Sequence, residues 1–247
     1  MPNPKDQLIV ALDGTPDEVG AWADALCGVV TWVKVGMTLH YVLGARIIDD
    51  LHAHGYKVFL DLKLHDIPHQ VEGAAFALAA LGVEMMTVHA CGGLDMMAAA
   101  LRGANRGAEQ AGKPAPKILA VTVLTSMDAA ALRQIGVADD PQTQVERLVR
   151  LSAQACVGGI VCSPLEAPLA RSILGAGATI VTPGVRPAGS ATGDQSRIAT
   201  PARALELGAT HLVVGRPITQ SANPAAAAQA ILQELATQEQ VSCQEGD

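Results

Sequence analysis

The octapeptide DLKLHDIP at residues 61–68 sets three charged side chains, Asp61, Lys63 and Asp66, in an apolar stretch where a buried strand should be ending. The residues before it, KVFL at 57–60, read as a strand, and strand side chains alternate with period two, so Asp61 and Lys63 face the same side. Taking a carboxylate and an ammonium out of water carries a large desolvation cost, so mutual pairing alone is a weak reason to place them there. Asp66 lies just beyond and offers Lys63 a second carboxylate. A lysine held between two acids stays protonated and fixed, which suits a proton donor to a developing carbanion. Taken alone, a D-x-K-x-x-D string reads first as an ion pair on a surface loop. Its surroundings reverse that preference.

Short β-branched runs lie near 8–13, 32–36, 57–62, 85–90, 117–124, 159–163, 179–184 and 211–215, and Ala-rich segments compatible with helix separate them, the last near 223–236. About eight βα units in one chain of 247 residues predict an α/β fold, a (β/α)8 TIM barrel, more than an open doubly wound sheet. No linker divides the sequence, so one domain over 1–247 is expected, with residues 1–7 and 237–247 frayed. The stretch VRPAGSATGDQSR at 185–197, after the seventh strand, is long and rich in small residues, as lids and binding loops are.

Composition narrows the classes of partner. Apolar residues make up 49% and aromatics 2%, so the core must be built from Ala, Leu, Val and Ile. The formal charge is -7 with no basic run or aromatic-interleaved patch, which argues against nucleic acid. Apolar runs such as 74–83 are stopped by Glu72 and Glu84, so neither a membrane span nor a signal peptide is expected. Five cysteines without C-x-x-C spacing suit reduced thiols in a cytoplasmic protein, and argue against a structural zinc. His40, His52 and His54 lie on or near one helix, but no acid or cysteine completes a set at ligand spacing.

In such a barrel, chemistry collects at the C-terminal ends of the strands. There the sequence places Asp13, Lys34, Asp61 with Lys63, His89, Thr125 with Ser126, Ser163, Arg186, and Gly215 with Arg216, strand by strand. Two subsites separate by chemistry. TPGVRP and VVGRPI each pair a glycine with an arginine after strands seven and eight, the usual phosphate position in these barrels, and Gln195 could add a neutral donor. The alternative is that Arg186 and Arg216 merely cap neighbouring elements. Across the rim, Lys34, Asp61, Lys63 and Asp66 would form an alternating row of charges able to act on a small anionic group.

Over nearly its whole length the chain resembles the orotidine 5'-monophosphate decarboxylase family. IVALD, VKVGM, FLDLKLHDIP, VHA, VTVLTS, IVCS, VTPGVRP, DQSR and VVGRPI stand in that family's order and spacing. The resemblance implies decarboxylation of orotidine 5'-monophosphate to uridine 5'-monophosphate, with Lys63 protonating a carbanion and no metal or organic cofactor required. It implies that Asp13 and Lys34 hold ribose hydroxyls, that Asp61 and Lys63 face the reacting carbon, and that Asp66 enters a neighbouring subunit's site in a homodimer. Thr125 and Ser126 would lie along the pyrimidine edge, Gln195 would bridge base and phosphate, and Arg186, Gly215 and Arg216 would bind phosphate. The stretch joining these roles, Leu62, Leu64, His65, Ile67, Pro68, His69 and Gln70, is counted with the substrate site. Gln70 departs from the family pattern, which often has a threonine there reaching the partner's ribose, so that contact is expected to be altered. Two rivals remain. A barrel resembling 3-keto-gulonate 6-phosphate decarboxylase or hexulose-phosphate synthase would use the same acids to hold magnesium, and a silent phosphate-binding barrel would bind nucleotide without releasing carbon dioxide.

Overall fold

The computed structural model describes residues 3–186 and 199–244, and side chains as far as residue 237. Eight parallel strands close into a barrel in chain order. They are β1 Leu8–Ala11, β2 Trp32–Gly36, β3 Lys57–Leu64, β4 Met85–His89, β5 Lys117–Val121, β6 Gly159–Val161, β7 Thr179–Thr182 and β8 His211–Val214. The register is regular through β2 and β3, from Trp32 opposite Lys57 to Gly36 opposite Asp61. Between β3 and β4 it shifts, with a bulge between Leu60 and Leu64. Several strands end short of the predicted limits because the following residues leave the ladder to form the loops that rim the mouth.

Period-two alternation divides the apolar residues into two layers. Ile9, Ala11, Trp32, Phe59, Met85, Leu119, Val181 and Val213 form a cluster inside the barrel. Their strand neighbours, among them Leu8, Val10, Val33, Val35, Val58 and Leu60, join the larger layer under the helices. With so few aromatics, small residues carry the packing. Gly103 and Gly107, in helix Gly93–Ala111, lie against the Glu72 and Phe76 carbonyls of helix Pro68–Ala79, so closely that a Cβ at either would clash with backbone. Local signals start the helices: Thr15 and Glu18 form a capping box for Pro16–Leu26, and Asp140 caps Pro141–Gln154.

The floor of the barrel, away from the mouth, is polar. Lys117 Nζ donates to Thr179 Oγ1 at 3.0 Å, and the His211 ring meets Trp32 edge to face, with centroids 5.6 Å apart. Burial pushes the His211 pKa down to about 4.

Frayed ends are expected at 1–7 and 237–247, and the described parts of both are helical. Pro4–Gln7 forms a helical turn capped by Asn3, with Gln7 buried. The last helix runs Pro224–Gln244 instead of stopping near 236. Its polar continuation is rich in Gln and Glu, good helix formers, so polarity there did not mean loss of helix. No helix among the described residues is long and apolar enough to cross a membrane.

Candidate active site

The mouth of the barrel opens into a cavity of about 490 Å³ lined on one side by Asp13, Lys34, Asp61 and Lys63, and on the other by Arg186, Gly215 and Arg216. Thr125 and Ser126 sit between them, and Val121, Val123, Val161 and Val213 supply apolar wall. Nine sequence-predicted residues therefore line one space.

The charged side is a row. Lys34 Nζ donates to Asp13 Oδ1 at 3.0 Å and lies 3.7 Å from Asp61 Oδ2. Lys63 Nζ donates to the same Asp61 oxygen at 2.8 Å. The second Asp61 oxygen, Oδ1, accepts from Thr87 Oγ1 at 3.0 Å. Burial alone would raise the Asp61 pKa, but Lys34, Lys63 and the two hydrogen bonds outweigh it and hold the carboxyl below its ordinary value. Asp61 is therefore a carboxylate fixed between two lysines.

This reverses one expectation. Lys63 was to stand between Asp61 and Asp66, yet Asp66 is exposed and makes no ion pair with it; Asp66 Oδ1 instead accepts from Ile67 N at 2.6 Å. The route by which Lys63 reaches Asp61 also differs. Lys63 has φ +53, so the strand leaves its regular path there, and its N–H donates to Thr87 Oγ1 at 2.8 Å.

The flanking residues divide. Leu62 is buried in the layer under the helices and Leu64 is partly buried against the same layer, and neither lines the mouth. His65, Ile67, Pro68, His69 and Gln70 are exposed beyond the strand and line neither this cavity nor its neighbour. His65 lies beside His89, ring centroids 5.5 Å apart, and burial, His65 and Lys63 together depress the His89 pKa. Ser163 serves as a helix cap: its Oγ accepts from Leu165 N at 3.3 Å, and Glu166 Oε2 accepts from its N–H at 2.9 Å. His52 and His54 turn to different acids, Glu84 and Asp24, so the three histidines do not form one site.

On the opposite side Arg186 is buried; its N–H donates to Ala199 O at 3.0 Å and its Nη1 to Val185 O at 2.9 Å. Arg216 begins a helical turn, Arg216–Thr219, directly after Gly215. Gln195, and most of the loop at 185–197, lie outside the described residues.

Sequence reasoning missed Thr87, Gly36, Thr219 and Gln220. The last two line the cavity beside Arg216. A Cβ at Gly36 would sit 3.0 Å from Asp13 Oδ1 and 3.3 Å from Lys34 Nζ, so the bare backbone leaves room for that pair. Thr87 stands on β4 within hydrogen-bond reach of the acid of β3, and only that placement in the fold marks it.

A second opening of about 630 Å³ meets the charged row from outside, between Gly14–Glu18 and helix Met37–Leu43. Large apolar side chains stand exposed on the segments after β2, β3 and β4: Met37, Tyr41 and Val42 on helix Met37–Leu43, Ile67 just before helix Pro68–Ala79, and Leu94 at the start of helix Gly93–Ala111.

A closed parallel barrel whose mouth carries an alternating row of carboxylates and lysines defines a class, the (β/α)8-barrel enzymes. A family model described as orotidine 5'-phosphate decarboxylase / HUMPS family matches residues 6–231, and the chain belongs to that family. It is 47% identical over 235 residues to the orotidine 5'-phosphate decarboxylase of Synechococcus sp. strain WH7803, covering 94% of this chain and 96% of the relative. The enzyme of that name from Anaeromyxobacter dehalogenans is 48% identical over 229 residues, 92% of this chain and 97% of the relative. The crystal structure of orotidine 5'-phosphate decarboxylase from Lactobacillus acidophilus superposes with a TM-score of 0.83 at 39% identity, covering 93% of this chain and 99% of that one.

Proposed function

We propose that this chain decarboxylates orotidine 5'-monophosphate to uridine 5'-monophosphate, the last step of de novo pyrimidine nucleotide synthesis. The observation that carries the reading is the row in which Lys34 and Lys63 approach one oxygen of Asp61 at 3.7 and 2.8 Å, at the mouth of a barrel of this family. Loss of carbon dioxide breaks the bond at carbon 6 of the pyrimidine and leaves an electron pair with no adjacent carbonyl to spread it into. The Lys63 ammonium stabilises that charge and gives up a proton to it, and solvent restores the proton to the lysine. Asp61, held ionised by its two lysines, would lie beside the substrate carboxylate. Two such charges about 4 Å apart repel by about 4 kcal/mol at an effective dielectric near 20, and departure of carbon dioxide relieves the repulsion.

The apolar wall of Val121, Val123, Val161 and Val213 suits the base, with Thr125 and Ser126 along its edge. Asp13 and Lys34 take the ribose hydroxyls. Arg186, Gly215 and Arg216 take the phosphate, at the usual anion position of these barrels, and convert its remote binding energy into orientation of the ring.

The reading includes a homodimer in which Asp66 completes the partner's site. Support comes from Asp66 itself, which is exposed and makes no ion pair with its own Lys63, and from the second opening beside the charged row, lined in part by the exposed Met37 and Val42. One domain and a cytoplasmic location complete the proposal; none of the four described cysteines is in a disulfide, as a reducing compartment would keep them.

The magnesium-dependent alternative is less well supported. A carboxylate already flanked by two ammonium groups is a poor ligand for a divalent cation, since the lysines neutralise the charge that would attract it. The deciding experiment follows the fall in orotidine 5'-monophosphate absorbance in the presence of EDTA. Undiminished turnover supports the proposal, whereas loss on chelation with recovery on added magnesium would favour the rival.

A further inference from the structure

We infer that Thr87 is a positioning residue of the decarboxylation site, fixing Asp61 and Lys63 together through one hydroxyl. The inference rests on the decarboxylase reading above.

Thr87 lies in the middle of β4 and is fully buried. A buried hydroxyl needs partners, and this one uses one donor and one acceptor position on two neighbours. Its proton goes to Asp61 Oδ1 at 3.0 Å, and its oxygen accepts from the Lys63 N–H at 2.8 Å. Those contacts fall where the strand ladder is broken, since the register of β3 on β4 shifts between Leu60 and Leu64. On a regular path Lys63, of the same parity as Lys57, would present its N–H to β2, as Lys57 does to Thr31 O; turned toward β4 instead, it meets a side chain in place of a main-chain carbonyl.

The backbone explains why a substitute is needed. Lys63 occupies the left-handed region, φ +53, which is unfavourable for a residue bearing a Cβ and persists only where the surroundings impose it. The Thr87 hydroxyl holds the amide of that strained residue, and the strained residue brings Nζ to 2.8 Å from Asp61 Oδ2. The same hydroxyl holds the other oxygen of Asp61, so the carboxylate cannot rotate without losing it. Thr87 touches no reacting atom in this scheme. It sets the angle between the two groups that do.

Thr87→Val keeps the shape and removes both hydrogen bonds, and Thr87→Ser keeps the hydroxyl. With orotidine 5'-monophosphate, Thr87→Val is expected to lose about a hundredfold in kcat, as misplacement of reacting groups does, with KM within about threefold. Thr87→Ser is expected to recover most of that loss. A Thr87→Val enzyme turning over at the wild-type rate would overturn the inference, as would an equal loss in Thr87→Ser. If Thr87→Val does not fold, Thr87→Ala, which only deletes atoms, carries the same comparison. Crystals of the folded variant give a second arm independent of turnover: Lys63 should leave the left-handed region or its Nζ should leave Asp61. Unchanged positions of both would overturn positioning by Thr87 whatever the wild-type chain does to the nucleotide, and an inert wild-type chain would count against the decarboxylase reading alone.

Discussion

Lys63 Nζ donates to Asp61 Oδ2 at 2.8 Å, so the ammonium assigned to the proton transfer is aimed by a carboxylate of its own strand. Lys63→Ala removes that donor and one of the two cations beside Asp61. Turnover is expected to fall by about 10⁴-fold or more, while binding of uridine 5'-monophosphate, measured by calorimetry, changes by less than about tenfold. An active Lys63→Ala enzyme would sink the mechanism.

Asp66 tests the dimer. Lys63→Ala and Asp66→Asn should each be nearly inactive alone, yet mixing them after mild dissociation should restore about a quarter of the sites, because a mixed dimer holds one site with both residues intact. Failure to recover on mixing would place Asp66 in the service of its own chain.

Arg216 should act at a distance from the reacting bond. Arg216→Ala is expected to raise KM and lower kcat for the nucleotide, by about a hundredfold or more in kcat/KM, since a charge-assisted contact to phosphate is lost. Orotidine, which lacks the phosphate, should be turned over almost as well by the variant as by the wild type. Equal losses on both substrates would remove Arg216 from the phosphate site.

His211 makes a prediction about stability. Burial on the barrel floor lowers its pKa from 6.5 to about 4, with Lys117 and Lys57 acting in the same direction and Asp6 opposing them. Between those two values the unfolded chain binds a proton that the fold refuses, so stability is full above pH 6.5 and falls as the pH drops toward 4. The ceiling on that loss is about 3 kcal/mol. Urea midpoints recorded across this window should slope less in His211→Leu than in the wild type, and parallel slopes would refute the assignment.

How far the sequence revealed this site depends on the residue. Asp61 and Lys63 were legible together because period two places them on one side, and the barrel because eight apolar runs recur with helices between them. Thr87 was not, since a threonine in a strand reads as ordinary β propensity and its partner lies 26 residues away, across a register shift. The left-handed backbone at Lys63 was hidden for the same reason: a non-glycine residue gives no local sign of it. Leu62 and Leu64 were gathered in by a motif that runs continuously in sequence, whereas a strand shows only alternate residues to a cavity. Asp66 was placed beside Lys63 by proximity along the chain, and the turn that begins at Asp66 separates them.

Gly103 and Gly107 press the helix Gly93–Ala111 against carbonyls of the helix Pro68–Ala79, whose first residue stands two after Asp66. The arm that would serve a partner is thus mounted on a stiff two-helix beam and not on a free loop. A methyl group added to either glycine would push the beam outward and shift Asp66 with it. Catalysis in one subunit would then be damaged by a lesion in the packing of the other, inherited through mechanics with no change to any group that touches the substrate.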